Sequence, residues 1–154
     1  MTCSCIVREP SNFMVVKVPI SVPARDLSTV WEDSSTNATA QGLQPDQIIL
    51  TDTESKQEHI RYSSLADLFP GTPLYNAHTT GTDVLWAGLP MITLPLEKMA
   101  TRVAGSLCLA TGLGDEMIVS SMKEYEEKAV SLALNRPKLQ DLTNRLKAHE
   151  LSFI

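Results

Sequence analysis

From Ala40 to the end of the chain, short apolar runs alternate with stretches of helical period, and the connections between them are short. That alternation constrains the fold more than any other feature of the sequence. Strands separated by helices pair in parallel, through right-handed crossovers, into a layered α/β domain with a Rossmann-like parallel sheet. The expected strands are Gln47–Thr51, begun after Pro45-Asp46; Pro73–Asn76; Met91–Leu94, ended by Pro95; and Met117–Val119. The pattern predicts a helix over Glu58–Phe69, with Ile60, Leu65 and Leu68 near one face and Pro70-Gly71 as the stop. Gly81–Ala87 reads as a short helix closed by Gly88, and Lys98–Thr111 as a helix with Gly112 as its C-cap. Ser121-Met122-Lys123-Glu124 is a capping box opening a helix to about Leu134, and Pro137 suits the first residue of a last helix to about His149. No unit repeats at a solenoid period.

The first part of the chain has a different character. Met1 to Thr39 lacks a sustained period. Phe13–Ile20 has strand-forming residues, but Pro19 and Pro23 interrupt it, so an edge or irregular segment is expected. Asp33–Thr36 is a polar run of linker type, and poor order is expected for much of residues 1–36. A chain of 154 residues suggests one domain, large enough to hide roughly 70% of its unfolded surface, and 43% hydrophobic residues argue against global disorder.

Charge and cysteine usage exclude several classes. A net charge of -5 without a Lys/Arg cluster argues against nucleic-acid or membrane-surface binding, and no apolar run reaches the roughly 18 residues of a membrane span. Met1–Pro10 has no signal-peptide core. Cys3, Cys5 and Cys108 form no framework, which points to a reducing compartment, and no second Cys/His pair follows at zinc-finger spacing, so no metal is expected. Asn37-Ala38-Thr39 matches a glycosylation sequon that is expected to be idle.

Two polar clusters carry the chemistry. His78-Thr79-Thr80-Gly81-Thr82-Asp83 follows a predicted strand and opens a predicted helix. Unpaired amides at a helix start, aided by the helix dipole, attract phosphate. Thr79 and Thr80 add hydroxyls, Gly81 permits close backbone approach, and Asp83 is suited to accept from ribose hydroxyls. Read plainly, Thr80 is an ordinary N-cap with Asp83 at N3. Lys56-Gln57-Glu58-His59-Ile60-Arg61 also follows a predicted strand; His59 is suited to stack on a base and Lys56 to reach a sugar or phosphate oxygen. The plainer alternative is a solvated first helical turn. Both clusters are expected at the carboxyl edge of one sheet, where open parallel sheets bind ligands.

Leu65-Ala66-Asp67-Leu68, Thr72-Pro73-Leu74 and the string from Asn76 through His78-Thr79-Thr80-Gly81-Thr82-Asp83-Val84-Leu85-Trp86-Ala87-Gly88 to Thr93 strongly resemble the C-terminal catalytic lobe of the protein O-GlcNAc transferases, the plant branch most. The likeness continues through Met99–Ala104 and Glu124-Tyr125-Glu126 to about Leu146, and reaches upstream to Ala38–Gly42. It implies a divergent leader over 1–37 and a partial C-terminal lobe of a GT-B glycosyltransferase over 38–154. It implies an inverting transfer of GlcNAc from UDP-GlcNAc to Ser/Thr of nuclear and cytoplasmic proteins, without metal or cofactor. It further implies that His59 stacks on uracil, Lys56 contacts the ribose region, Thr79 and Thr80 hold the diphosphate and Asp83 binds ribose. His78 and Gly81 belong to the same loop.

The sequence departs from the family pattern in four places. The lobe with the groups beside sugar and acceptor is expected to be missing. A lysine on the diphosphate is expected before Ala38, where Lys17 is the one lysine and does not align. Tyr62 stands in place of an arginine at the uracil edge, with Arg61 before it, and Glu54 replaces a small residue that contacts the base. The chain stops at Ile154, before the final segment of the family pattern. The resemblance thus leads to an enzyme by family, with catalytic groups outside this chain and no activity expected from it alone. The alternatives are a UDP-binding module without catalysis or a nonfunctional fragment.

Overall fold

The computed structural model describes residues 55–74 and 76–148 in full, the backbone of 149–150, three strands upstream, and positions 36, 39, 40, 42 and 44. Tyr75, Asn37, Glu54 and the side chains of Cys3, Cys5 and Lys17 lie outside the described residues, and with them the readings placed there.

The upstream strands are β1 (Thr2–Arg8), β2 (Val15–Ser21) and β3 (Ile48–Thr51). They form an antiparallel sheet in the order β2-β1-β3, with Thr2 opposite Ser21 and Ser4 opposite Thr51. β2 lies at the edge, where its Pro19 removes no central ladder donor. β3 matches the predicted strand, but it joins this antiparallel sheet and not the parallel one. β1 has no counterpart among the predicted elements.

The parallel sheet is short. β4 (Phe69–Pro70) pairs with β5 (Met91–Ile92), and Thr93 extends the ladder to Ile118. The Phe69 amide donates to Pro90 O at 2.8 Å and the Gly71 amide to Ile92 O at 2.8 Å. The Thr93 amide donates to Met117 O at 3.0 Å, and the Val119 amide to Thr93 O at 3.0 Å. Burial alternates along it. Phe69, Met91 and Met117 enter one core cluster; Leu68, Ile92, Leu94 and Val119 enter the other. A strand sends neighbouring side chains to opposite faces, so these clusters are the two faces of one sheet. Because both faces are covered, the strands read as continuous apolar runs.

Helices cover each face. Val84 and Leu85 of α2 (Thr79–Trp86), Ala104 and Cys108 of α3 (Val103–Ala110), and Leu142 and Leu146 of α6 (Arg136–Glu150) close the first face. Leu132, Tyr125 and Ala129 of α5 (Met122–Leu134) close the second, with Leu139 of α6. α1 (Lys56–Ser63) packs beside α2, and α4 (Gly114–Met117) is a single turn. The result is the expected α/β layering.

Several predicted boundaries are corrected. The helix expected over Glu58–Phe69 runs Lys56–Ser63. Leu68 and Phe69 are both fully buried, on opposite faces, which a strand permits and one helical stripe does not. The hydroxyls of Ser63 and Ser64 bond the carbonyls of His59 and Arg61 at 2.7 Å and close the last turn. The strand expected over Pro73–Asn76 does not form among its described residues: Leu74 is 83% exposed, and the Asn76 amide bonds Ala100 O and not a strand neighbour. Met117–Val119 reduces to a bridge at Ile118, because α4 takes Met117. Lys98–Thr111 divides into a 3-10 turn, Met99–Thr101, and α3. Pro137 is the second residue of α6, whose first turn is capped by Asn135 Oδ1 accepting from the Lys138 amide at 3.1 Å.

Other local signals match. Ser121 caps α5 by accepting from the Glu124 amide at 3.1 Å. The Glu124 carboxylate turns to the Ser120 amide and hydroxyl, both 2.8 Å away, and the Ser120 amide foremost holds it below the usual carboxylate range. α2 ends at Ala87 and Gly88, whose φ of +74° favours glycine.

One buried and one half-buried group set an alkaline limit on stability. Burial pushes the Cys108 thiol from 9.0 up to about 12. It also pushes the Tyr125 phenol, which donates to Gly71 O at 3.0 Å, from 10.0 up to about 12. Both stay protonated in the fold where the unfolded chain has lost its protons, so stability falls as pH rises. The melting temperature is expected to decline between about pH 9 and 12. In Tyr125→Phe with Cys108→Ala that decline is expected to be shallower; an identical slope would show that other groups set it.

Candidate functional site

The first of the two predicted clusters sits where the chain enters α2. His78 is its N-cap, at φ -98° and ψ -100°, and its side chain makes no capping bond. Thr79 is therefore the first helical residue, Thr80 the second and Asp83 the fifth, which corrects the placement of Thr80 as N-cap with Asp83 at N3. The Thr82 amide closes the first turn on His78 O at 3.2 Å. The amides of Thr79, Thr80 and Gly81 thus begin the helix without intrahelical acceptors. None of the residues of that first turn is acidic, so no carboxylate of the turn itself offsets the positive end of the dipole. Thr79 is exposed, and Thr80 and His78 are half-buried.

Gly81 is buried, and its missing side chain has a packing cause. A Cβ there would stand 3.0 Å from Leu107 Cδ1, 3.3 Å from Ala77 Cβ and 3.6 Å from Met91 Cε. The glycine lets α2 lie close on the sheet face.

The second cluster forms the first turn of α1. Ser55 is the N-cap and accepts from the Glu58 amide at 3.4 Å. Lys56 reaches across to α2, its Nζ 3.5 Å from Asp83 Oδ1. Lys56 is 77% exposed and Asp83 16%, so this pair is worth well under ~1 kcal/mol but does bring the two predicted clusters together. His59 is half-buried one turn further along α1. Arg61 donates to Glu58 at 2.9 Å and lies over the Tyr62 ring at 5.1 Å from its centroid. The clusters meet through α1 against α2 and not, as expected, along one sheet edge, since β3 belongs to the antiparallel sheet.

Sequence reasoning missed the residues that hold this turn in place. Asn76 is 1% exposed, Thr93 0% and Thr101 2%. Asn76 Nδ2 donates to Thr93 Oγ1 at 3.3 Å and to Thr101 O, and its Oδ1 accepts from the Ala104 amide at 3.3 Å. His78 Nε2 lies 3.2 Å from Ala100 O, the carbonyl that also accepts from the Asn76 amide at 3.2 Å. A polar residue just before a helix start was the available signal, but it was absorbed into an expected strand. Among the described residues, no group of three His, Cys, Asp or Glu side chains is placed to hold a metal ion, and no helix is long and apolar enough to cross a membrane.

The model of glycosyl transferase family 41 matches residues 18–152. The chain is 74% identical over 117 residues, 76% of its length, to the probable UDP-N-acetylglucosamine--peptide N-acetylglucosaminyltransferase SEC of Arabidopsis thaliana. It is 43% identical over 101 residues, 66% of its length, to the UDP-N-acetylglucosamine--peptide N-acetylglucosaminyltransferase of Caenorhabditis elegans. It spans 12% and 9% of the lengths of those two relatives. A solved mutant of the O-GlcNAc transferase of Thermobaculum terrenum shares the fold, with a TM-score of 0.75 and 22% identity over 81% of this chain and 24% of that one. A family match over most of the length, two relatives with these identities and a shared fold lead to one conclusion: the chain belongs to glycosyl transferase family 41.

Proposed function

We propose that this chain is the donor-holding part of a protein O-GlcNAc transferase, binding the UDP moiety of UDP-GlcNAc at the start of α2. The observation that carries this is the opening of α2 at His78-Thr79-Thr80, uncapped by a side chain and clear of acidic residues in its first turn, beside the Lys56–Asp83 pair. Those amides and hydroxyls suit a diphosphate. Asp83 and Lys56 suit ribose hydroxyls, and His59 on the neighbouring helix suits the base.

The chemistry follows from what these groups supply. When the glycosidic bond of a nucleotide sugar breaks, negative charge grows on the departing diphosphate. Donors already aimed at that charge stabilise the transition state more than the ground state, and fixed amides need no reorganisation. In the two-lobed GT-B arrangement this lobe holds the donor, while the acceptor hydroxyl of a nuclear or cytoplasmic protein is activated by groups elsewhere in the enzyme. The chain by itself is expected to bind UDP and not to transfer sugar.

Thr80→Ala and His59→Ala are each expected to weaken UDP binding about five- to tenfold, the loss of one hydrogen bond or one stacking contact. Calorimetric titration with UDP measures this; unchanged affinity in both variants would remove the site from this turn. Incubation with radiolabelled UDP-GlcNAc and a Ser/Thr peptide tests the division of labour, and transfer by the chain alone would contradict it.

A further inference from the structure

We infer that Asn76 is a positioning residue that sets the geometry of the His78–Thr80 turn for its anionic ligand. The inference rests on the donor-binding role proposed for that turn.

Asn76 is buried and does not reach the ligand side of the turn. Its side chain joins three elements at the point where the chain enters α2. Nδ2 donates to Thr101 O in the 3-10 turn and to Thr93 Oγ1 beside β5 at 3.3 Å; Oδ1 accepts from the Ala104 amide at the start of α3 at 3.3 Å. The 3-10 turn is itself braced, because Thr101 Oγ1 donates to Lys98 O at 2.7 Å and accepts from the Leu96 amide at 3.0 Å. Ala100 O in this turn then takes the Asn76 amide and His78 Nε2, both at 3.2 Å. A carbonyl only accepts, so the contact is made by a ring that carries its proton on Nε2. The orientation of the imidazole, and of the Thr79 and Thr80 amides that follow, is thereby tied to the 3-10 turn that Asn76 holds.

The residue type is matched to this task. An amide offers two donors and an acceptor in one plane. Aspartate would set a buried carboxylate against Thr101 O, and alanine would leave Thr101 O and the Ala104 amide without their side-chain partner. A merely structural asparagine would cost stability when replaced and leave the ligand's affinity in the folded fraction unchanged. A positioning residue changes the affinity itself.

The test compares the full chain with Asn76→Ala, Asn76→Ser and Leu132→Ala. Leu132 lies in the other core cluster, away from this turn. UDP is titrated at a temperature where circular dichroism shows every variant folded, and the His78 ring nitrogens are followed by NMR. Asn76→Ala is expected to weaken UDP binding roughly tenfold and to change the ring nitrogen shifts. Asn76→Ser, which keeps one hydroxyl, is expected to lose less, and Leu132→Ala to bind as the parent chain does. Parent-like affinity and ring shifts in folded Asn76→Ala would overturn the inference, and so would an equal loss in Leu132→Ala. If Asn76→Ala does not fold, Asn76→Ser decides by the same two readouts. If the parent chain does not bind UDP, the proposed donor site fails; the ring shifts and the Thr79 and Thr80 amide exchange rates then decide for Asn76, and parent-like values overturn it.

Discussion

Phe69→Ala is expected to lower the stability of the folded chain by about 3–5 kcal/mol. That is a large part of the ~5–15 kcal/mol that holds a typical domain together. Phe69 is 0% exposed and sits in β4, the first strand of the parallel sheet. Its ring belongs to the cluster that includes Ala77, Val84 and Leu85, the residues that seat the start of α2 on the sheet. Truncation removes the transfer free energy of the ring and leaves a cavity that the short β4–β5 ladder cannot collapse to fill. Chemical denaturation with a two-state fit measures the loss. A change below about 1 kcal/mol would mean that this face of the sheet is not the core described above.

Gly81→Val is expected to cost about 2–3 kcal/mol and to weaken UDP binding as well. The Cβ alone would meet Leu107 Cδ1 at 3.0 Å and Ala77 Cβ at 3.3 Å. The leucine end can turn aside, but the alanine Cβ moves only with its backbone, and that backbone leads into His78. The second methyl of a branched side chain deepens the collision, so α2 must lift from the sheet. Gly81→Ala should be far milder, because a helical alanine gains roughly 1 kcal/mol over glycine and offsets the tight contact. Denaturation midpoints at constant slope give the stability series. Equal stability of the alanine and valine variants would show that α2 sits further from the sheet than these distances state.

The alternating pattern from Ala40 onward was enough to read the α/β class, because parallel strands buried on both faces leave short apolar runs such as Leu89–Ile92. Caps were legible for the same local reason: Ser121, Gly88 and Gly112 act within one turn of themselves. What failed was non-local. Leu68 and Phe69 fit the end of a helical stripe as well as a strand, and only the pairing of Phe69 with Met91 and of Pro70 with Ile92 decides between them. Pro73–Asn76 looked apolar enough for a strand, yet Leu74 points outward and Asn76 is the buried member. β1 and its antiparallel partners depend on contacts between distant segments, which periodicity does not encode. At the candidate site, the residue types and the helix start were legible. The meeting of Lys56 with Asp83 and the bracing by Asn76, Thr93 and Thr101 were not, because each joins residues at least 17 apart in the chain.

The donor-binding role of the α2 start is tested most directly by titrating the purified chain with UDP while following the backbone amides of Thr79 and Thr80. Saturable binding below millimolar ligand, with those two amides shifting most, is the expected result. An absence of saturation at millimolar UDP, or binding that leaves Thr79 and Thr80 unmoved, would contradict it.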